Sequence, residues 1–343
     1  MTWAQERDVY DVTIIGGGPV GLFAAFYAGL REMRTKIIEA LPELGGQLIT
    51  LYPEKLIYDV AGFPEILAKD LAANLIAQGL RYRPTVCLEE RAVQLEREPD
   101  GVYVITTDKG RRHWTRTVII SAGIGAFNPN RLDRPGVQAF EGRGVYYFAK
   151  NFEEFRDKRL LIVGGGDSAV DWALHLYPIA RHVTLIHRRT EFRAHEKSVR
   201  ELMAAPVTVK TPYELKELRG DTWVREAVIY QNRTMEEETL PVDAVILALG
   251  FKADIGPLAE WGFELDGRSI KVNARMETSL PGVFACGDIA SVEGVGNLKL
   301  LATGFGQAAI AVGAAKMFID PTARLFGGHS SEIVPKKEKA DSA

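Results

Sequence analysis

The feature that most constrains what this chain can fold into is a repeat. The segment Asp11 to Ala40, DVTIIGGGPVGLFAAFYAGLREMRTKIIEA, superimposes without a gap on Arg159 to Arg188, RLLIVGGGDSAVDWALHLYPIARHVTLIHR, at an offset of 148 residues. Each copy opens with an apolar strand pattern and passes through a glycine turn. Each then runs on with small and apolar residues at helical spacing and ends in a second apolar run, TKIIE or VTLIH. That is a β-α-β unit occurring twice. A chain of 343 residues has room for about two domains.

The turns read Gly16-x-Gly18-x-x-Gly21, with Pro19 inside, and Gly164-x-Gly166-x-x-Ala169, with Asp167 and Ser168 inside. The first glycine permits a tight turn. The second lets backbone N–H groups approach a pyrophosphate. The third, Gly or Ala, lets the helix pack closely on its strand. The helix N-terminus then offers unpaired N–H groups and the positive end of its dipole to an anion. Two copies in matching strand–helix context specify two dinucleotide sites.

The copies differ where nucleotide choice is made. In the first, the second strand ends at Glu39, a carboxylate that accepts from a free ribose 2′-OH and repels a 2′-phosphate. In the second, the matching position is His187, followed by Arg188, Arg189 and Arg193. Guanidinium groups there suit a 2′-phosphate. The first site reads as one for FAD or NAD, the second as one for NADP(H).

Composition removes several other classes. Hydrophobic residues make up 46% and charged ones 25%, which is not the balance of a disordered chain. A net charge of −3 argues against a general nucleic-acid or anionic-membrane binder. Val12 to Leu30 carries no charge, but its glycines, its proline and its opening VTII run fit a strand–turn–helix better than a membrane span. There are two cysteines, Cys87 and Cys286, too far apart in sequence for a C-x-x-C pair. Few cysteines and a polar, charged start, MTWAQERD, lead us to expect a cytoplasmic protein.

Between the repeats lie the turn-rich LGGQLITLYPEKLIYDVAGFP, in which Gly45 and Gly46 permit close backbone approach, and a helix near Lys69 to Leu80. Strand patterns follow at Ala92–Glu98, Val102–Thr107 and Thr117–Ser121. After the second repeat come a helix near Ala194 to Ala204 and strand patterns near Val207–Thr211 and Val224–Tyr230. VDAVILALG, at Val242 to Gly250, and GVFACGD, at Gly282 to Asp288, read as buried strands, and an apolar helix runs from about Thr303 to Phe318. The last strand and helix complete no third nucleotide unit, so the simplest topology inserts the second domain into the first. The expected fold is α/β, with two Rossmann-like, three-layer ββα dinucleotide-binding domains. Residues 1–125 and 251–343 are expected to form the first dinucleotide domain, an FAD domain if the first site takes FAD rather than NAD, and 126–250 the inserted NADPH domain.

GGGPVG, Glu39, GGQL, GGGDSAVDWAL, HRRTEFRAHE and ACGD together resemble the two-dinucleotide-binding-domain flavoprotein reductases. Within them the chain is similar to the thioredoxin reductase-like ferredoxin–NADP+ reductases, homodimeric FAD enzymes. The resemblance runs from about Asp8 to Val334. It implies that Gly16, Gly18, Pro19 and Gly21 lie on the FAD pyrophosphate with Gly46 nearby, and that Glu39 meets the adenosine ribose. Gln47 and Tyr52 would contact the flavin half, and Ala92 or Val93 the adenine. Phe127 would lie near the cofactor at the interdomain crossing. Asp288 would bond the ribityl chain, and Thr303 would start a helix facing the flavin. The stretch after Asp320 would fold over the flavin of the partner subunit, with Phe326, His329, Ser330 and Ser331 as candidates.

One departure matters. Thioredoxin reductases of this shape carry a C-x-x-C near the second glycine turn; here that stretch reads GVYYFAKNFEEFR. Without a dithiol the flavin must reduce its acceptor directly. The resemblance thus implies electron flow from NADPH through FAD to ferredoxin or flavodoxin, with Arg111, Arg112 and Arg116 as candidate contributors to docking. Two other readings stay open. One is a thioredoxin reductase-like protein without its own dithiol that reduces another disulfide protein, a quinone or oxygen. The other is a non-catalytic NADPH-sensing flavoprotein.

Overall fold

The run VYDVTII becomes strand β1 (Val9–Ile15), with Val12 and Ile14 fully buried. Uncharged PVGLFAAFYAGL becomes helix α1 (Pro19–Leu30), started by proline in its first turn, and TKII becomes β2 (Thr35–Ile38). They belong to one of two units of the computed structural model, which describes residues 7–125, 128–252 and 255–329. One unit comprises Met1–Ala126 and Ala253–Ala343, the other Phe127–Lys252. Phe127, Ser330 and Ser331 lie outside the described residues.

In the first unit β1 is flanked by β2 and by the Arg112–Ile120 strand, both parallel to it, with Thr85–Cys87 beyond β2. The Arg112–Ile120 strand divides its other edge. Its first half pairs antiparallel with Tyr103–Thr107, and its second half pairs in parallel with Val283–Ala285. Ile15, Ile120 and Ala285 therefore stand side by side. The chain leaves all three at the carboxyl edge of the sheet, where open α/β sheets bind ligands. This register is what brings the Gly16 turn, Ser121–Gly123 and Cys286–Asp288 to one place.

The Leu301–Ile319 helix packs into the same core through Ala308, Ala311, Val312 and Ala315, all fully buried. By length and composition it is apolar enough to cross a membrane. Its small residues instead serve close approach: a Cβ on Gly304 would come 2.5 Å from the Val20 side chain of α1.

In the second unit, β3 (Arg159–Val163), α2 (Asp167–Leu176) and β4 (His182–Ile186) repeat the pattern. The sheet runs Val145–Tyr146, Ala244–Leu247, β3, β4, Thr208–Lys210, all parallel. A separate antiparallel meander is formed by Tyr213–Gly220, Val224–Gln231 and Glu237–Pro241. The central sheet carries a buried apolar cluster on each face.

At the start of β3, Asp243 receives Arg159 three times: Nε and the backbone N–H at 2.9 Å and Nη2 at 2.7 Å. The guanidinium holds the Asp243 carboxyl down at about 2, against an ordinary 3.8. A depressed carboxyl contributes stability that is complete above its unfolded value and is lost as pH falls through the folded one. Asp243→Asn should lower the melting temperature at neutral pH by a stability loss of about 1 kcal/mol, allowing for the pair's exposure. It should also flatten the acid limb below the ordinary carboxyl value. Melting curves from neutral pH down to pH about 2 check this, and a variant whose acid limb tracks the parent's would refute it.

Candidate functional site

In the first glycine turn the requirements are steric and local. Gly16 has φ +102°, and a Cβ there would lie 2.6 Å from the Ser121 carbonyl oxygen. A Cβ on Gly21 would lie 1.9 Å from the Gly16 oxygen. Gly18 is different. Its Cβ would meet nothing closer than the Cα of Gly46 at 3.9 Å, so the space beside it is open. Gly45 N–H donates to the Gly17 carbonyl at 2.9 Å, which runs the Gly45–Gly46 backbone alongside Gly18. No side chain caps α1, so its first N–H groups have no intrahelical partner. A groove with backbone walls and a free helix N-terminus fits a pyrophosphate.

Glu39 closes one side of this turn. Its Oε2 accepts the Gly17 N–H at 2.6 Å and its Oε1 the Leu41 N–H at 2.8 Å. Burial raises the carboxyl's pKa, and these backbone donors oppose that shift. Each oxygen keeps a lone pair for a ribose hydroxyl. The backbone of Glu39 is itself held, its N–H by the Cys87 carbonyl and its carbonyl by the Glu90 N–H, both at 2.9 Å.

Beyond the turn, the fold gathers Gln47 and Asp288, with the Gln47 amide donating to the Asp288 carboxylate at 3.5 Å. Burial pushes the Tyr52 phenol up to about 12, helped by the negative charges of Asp288 and Asp59. Burial also raises the Asp288 carboxyl. The Leu301–Ile319 helix begins two residues before Thr303 and has no side-chain cap; the Thr303 hydroxyl turns back to the Leu300 carbonyl at 2.9 Å. Ala92 is buried in the Ala92–Arg97 strand, and the Val93 carbonyl accepts the Trp261 indole N–H at 3.2 Å. His329 is exposed, its ring edge-on to Phe326. That segment is tied down by Arg31, which donates to the carbonyls of Arg324 and Leu325 at 2.7 and 2.9 Å.

The second turn repeats the first with different chemistry. No side chain caps α2, and a Cβ on Gly166 would meet nothing within 4 Å. Gly166 thus has the open space that Gly18 has. Asp167 accepts the His195 N–H at 2.8 Å. His187 stands to Gly165 as Glu39 stands to Gly17. Its ring lies flat enough on Gly165 that a Cβ there would come within 2.3 Å. Only 8% of His187 is exposed, which puts its ring beneath the turn rather than in front of it. Its Nε2–H donates to the Glu191 carbonyl at 3.1 Å, and Phe192 stacks on it. Burial lowers its pKa, and the cations of Arg188, Arg189 and Arg193 add to that. Those three arginines are exposed, and among the described residues none has a carboxylate within 4 Å.

Sequence reasoning missed one buried cluster beside Glu39. Lys36 Nζ donates to His113 Nδ1 at 3.1 Å, His113 Nε2–H donates to Glu90 at 2.9 Å, and Arg111 donates to the other Glu90 oxygen at 2.6 Å. Cys87, Glu90 and His113 have metal-ligand chemistry and lie within 4.8 Å of one another. Arg111 already pairs with the carboxylate and the His113 ring links it to Lys36, so the cluster is satisfied as a hydrogen-bonded network around one ion pair. The signal in sequence was the alternation in RHWTRT, which puts His113, Thr115 and Thr117 inside. Arg111 is thereby engaged, as are Arg112 with Glu98 at 4.0 Å and Arg116 with Asp11 at 3.6 Å.

Comparison with known proteins agrees with this architecture. The family model for pyridine nucleotide-disulphide oxidoreductases matches residues 10–315. A protein of Sulfurisphaera tokodaii named ferredoxin–NADP reductase is 57% identical over 94% of this chain and 98% of its own length. One of the same name from Geobacillus thermodenitrificans is 52% identical over 97% of this chain and all of its own length. Among solved structures, the thioredoxin reductase of Lactococcus lactis matches with a TM-score of 0.77 and 26% identity, over 90% of this chain and 99% of its own. That of T. acidophilum has the same TM-score at 25% identity, over 92% and 99%. The architecture is thus that of a thioredoxin reductase-like fold with two Rossmann-like domains, and the chain belongs to the pyridine nucleotide-disulphide oxidoreductase family, in the branch whose members are named ferredoxin–NADP reductase.

Proposed function

We propose that this chain is an NADPH-dependent FAD oxidoreductase that passes electrons from NADPH through flavin to ferredoxin or flavodoxin, reversibly. One observation carries the choice of acceptor: a thioredoxin reductase-like fold without a redox-active dithiol. Cys286 is wholly buried, and burial alone pushes its thiol up to about 12. Cys87 is a free thiol whose pKa is also raised, chiefly by burial. Neither is poised as a thiolate nucleophile.

Bound FAD supplies the redox chemistry, accepting a hydride's two electrons and releasing them singly. The protein binds and orients. The open groove at Gly16, Gly18 and Gly46, with the free N–H groups of α1, holds the pyrophosphate, and Glu39 the adenosine ribose. Asp288 and Gln47 serve the ribityl chain, while Tyr52 stays protonated and neutral against the flavin. The uncapped end of the Leu301–Ile319 helix directs its positive dipole end there, which favours the anionic form of what it faces. Gly164, Gly166, Asp167, Ser168 and Ala169 hold the NADPH pyrophosphate, and Arg188, Arg189 and Arg193 its 2′-phosphate. The reading includes a cytoplasmic homodimer in which the segment carrying Phe326 and His329 covers the flavin of the partner subunit.

The experiment is steady-state NADPH oxidation by the FAD-loaded protein with ferredoxin, flavodoxin or thioredoxin as acceptor. Thioredoxin reduction should be negligible. The Cys87→Ser, Cys286→Ser double variant should keep most of its transfer to ferredoxin. A folded, FAD-loaded double variant that loses ferredoxin reduction would sink direct transfer from the flavin. Thioredoxin outperforming ferredoxin and flavodoxin would overturn the acceptor while leaving the fold intact.

A further inference from the structure

The loop of residues 188–193 is held by more than its own residues. At its start the His187 N–H donates to the Lys210 carbonyl at 3.1 Å and the His187 carbonyl accepts the Tyr213 N–H at 2.9 Å. In its middle the Glu191 carbonyl is held by the His187 ring, on which Phe192 stacks. At its end the Arg193 N–H donates to the Gly165 carbonyl at 2.7 Å, which ties the loop to the glycine turn. One tether comes from farther along the chain. Asn232 lies just after the Val224–Gln231 strand, in the connection to Glu237–Pro241, and its Nδ2 donates to the Arg188 carbonyl at 2.8 Å. The same amide nitrogen contacts the Glu214 carboxylate at 3.3 Å, and the Asn232 backbone N–H donates to the Pro212 carbonyl at 3.0 Å. Asn232 is therefore itself fixed, its side chain by Glu214 of the Tyr213–Gly220 strand and its backbone by Pro212 just before that strand.

We infer that Asn232 is a positioning residue for 2′-phosphate selectivity: it clamps the backbone of Arg188 so that the unpaired guanidinium groups beside the second glycine turn are presented in one arrangement. The inference rests on the reading that Arg188, Arg189 and Arg193 bind the 2′-phosphate. Arg188 is exposed, and its side chain has no carboxylate within 4 Å among the described residues to hold it in place. Its backbone is thus where the fold can limit its freedom. Ordering a mobile arginine on binding costs affinity, and a pre-ordered backbone reduces that cost. Asn232 has no direct contact to make with the nucleotide for this to work. Its effect falls on the ligand that carries the phosphate, because the adenosine and pyrophosphate halves are read elsewhere, at Gly164, Gly166 and α2.

The test is calorimetric binding of 2′,5′-ADP and of 5′-AMP to the FAD-loaded parent and to Asn232→Ala. The variant should bind 2′,5′-ADP about three- to tenfold more weakly, the loss of one neutral hydrogen bond, with 5′-AMP affinity changed less than about twofold. Asn232→Asp, isosteric but without the N–H donor, should lose at least as much and provides a second reading if the alanine variant does not fold. Unchanged 2′,5′-ADP affinity in a folded variant, or equal losses for both ligands, overturns the inference. The Arg188→Ala, Arg189→Ala protein run alongside separates the two levels. If it too keeps full 2′,5′-ADP affinity, the arginines do not read the phosphate and both readings fall. If it loses affinity while Asn232→Ala does not, the clamp alone is wrong.

Discussion

Replacing Arg188 and Arg189 together by alanine should raise the KM for NADPH about ten- to a hundredfold while moving that for NADH less than about threefold. The expectation follows from what the two side chains lack. Some arginines elsewhere are spent on carboxylates: exposed Arg156 on Glu153 and exposed Arg219 on Glu217, and half-buried Arg159 on Asp243. Arg188 and Arg189 stand beside the glycine turn with no such partner among the described residues. A charge-assisted hydrogen bond is worth about 1.5–3 kcal/mol, so losing one to a phosphate accounts for the whole of that range. NADH offers no 2′-phosphate and makes no such bond. Steady-state kinetics with both nucleotides at saturating acceptor read the difference, and repetition at high salt should narrow it as screening weakens the exposed pairs. Equal changes in both KM values would mean that the arginines serve the loop rather than the phosphate.

The matching halves of the repeat show how much of this site was legible in the sequence. Glu39 and His187 occupy equivalent positions, and spacing alone placed both at a second strand's end. It could not say what each does there. Glu39 binds Gly17 N–H and keeps lone pairs to spare, whereas the His187 ring lies on Gly165 and is committed to Glu191. That difference lies in side-chain rotamer and neighbour, which a spacing rule does not contain. Residues brought together over long sequence distance were legible only through the family resemblance; Gln47 and Asp288 meet because Val283–Ala285 pairs with the Arg112–Ile120 strand. The polar strands were harder to place. Arg112–Ile120 begins five residues before the expected Thr117, because its inward residues are His113 and Thr115 rather than aliphatics. Tyr213–Gly220 and Glu237–Pro241 carry charges on their open faces, which blurs the alternation that marks a half-buried strand. Asn232 was invisible for the same reason: it lies in a connection between two such strands.

Two glycines three residues apart in the first turn should fail in different ways. Gly21→Ala places a methyl group 1.9 Å from the Gly16 carbonyl oxygen and 2.6 Å from the Ser121 hydroxyl. That oxygen is already engaged by the Ser121 hydroxyl at 3.0 Å, so it cannot swing aside without breaking a half-buried bond. The contact is with backbone, and α1 must move away from β1, at a cost of about 3 kcal/mol or more. The apoprotein itself should melt several degrees lower, and FAD should be lost with it. Gly18→Val meets no such wall. Its φ of −74° and ψ of −176° are open to any residue, and the new side chain points where only the Gly46 Cα lies, 3.9 Å from the Cβ. The apoprotein should therefore melt within about 2 °C of the parent apoprotein, a shift that corresponds to about 1 kcal/mol or less. Yet the valine fills the groove at the helix N-terminus, and FAD affinity should fall about a hundredfold or more, as the pyrophosphate loses its backbone donors. Melting of apo forms, together with flavin-fluorescence titration, separates the two. Gly18→Val protein that purifies yellow with one FAD per chain would show that this groove is not where the pyrophosphate lies. Gly21→Ala protein as stable as the parent would show that the helix has room to slide, and that tight packing at the third glycine is not what holds α1 to β1.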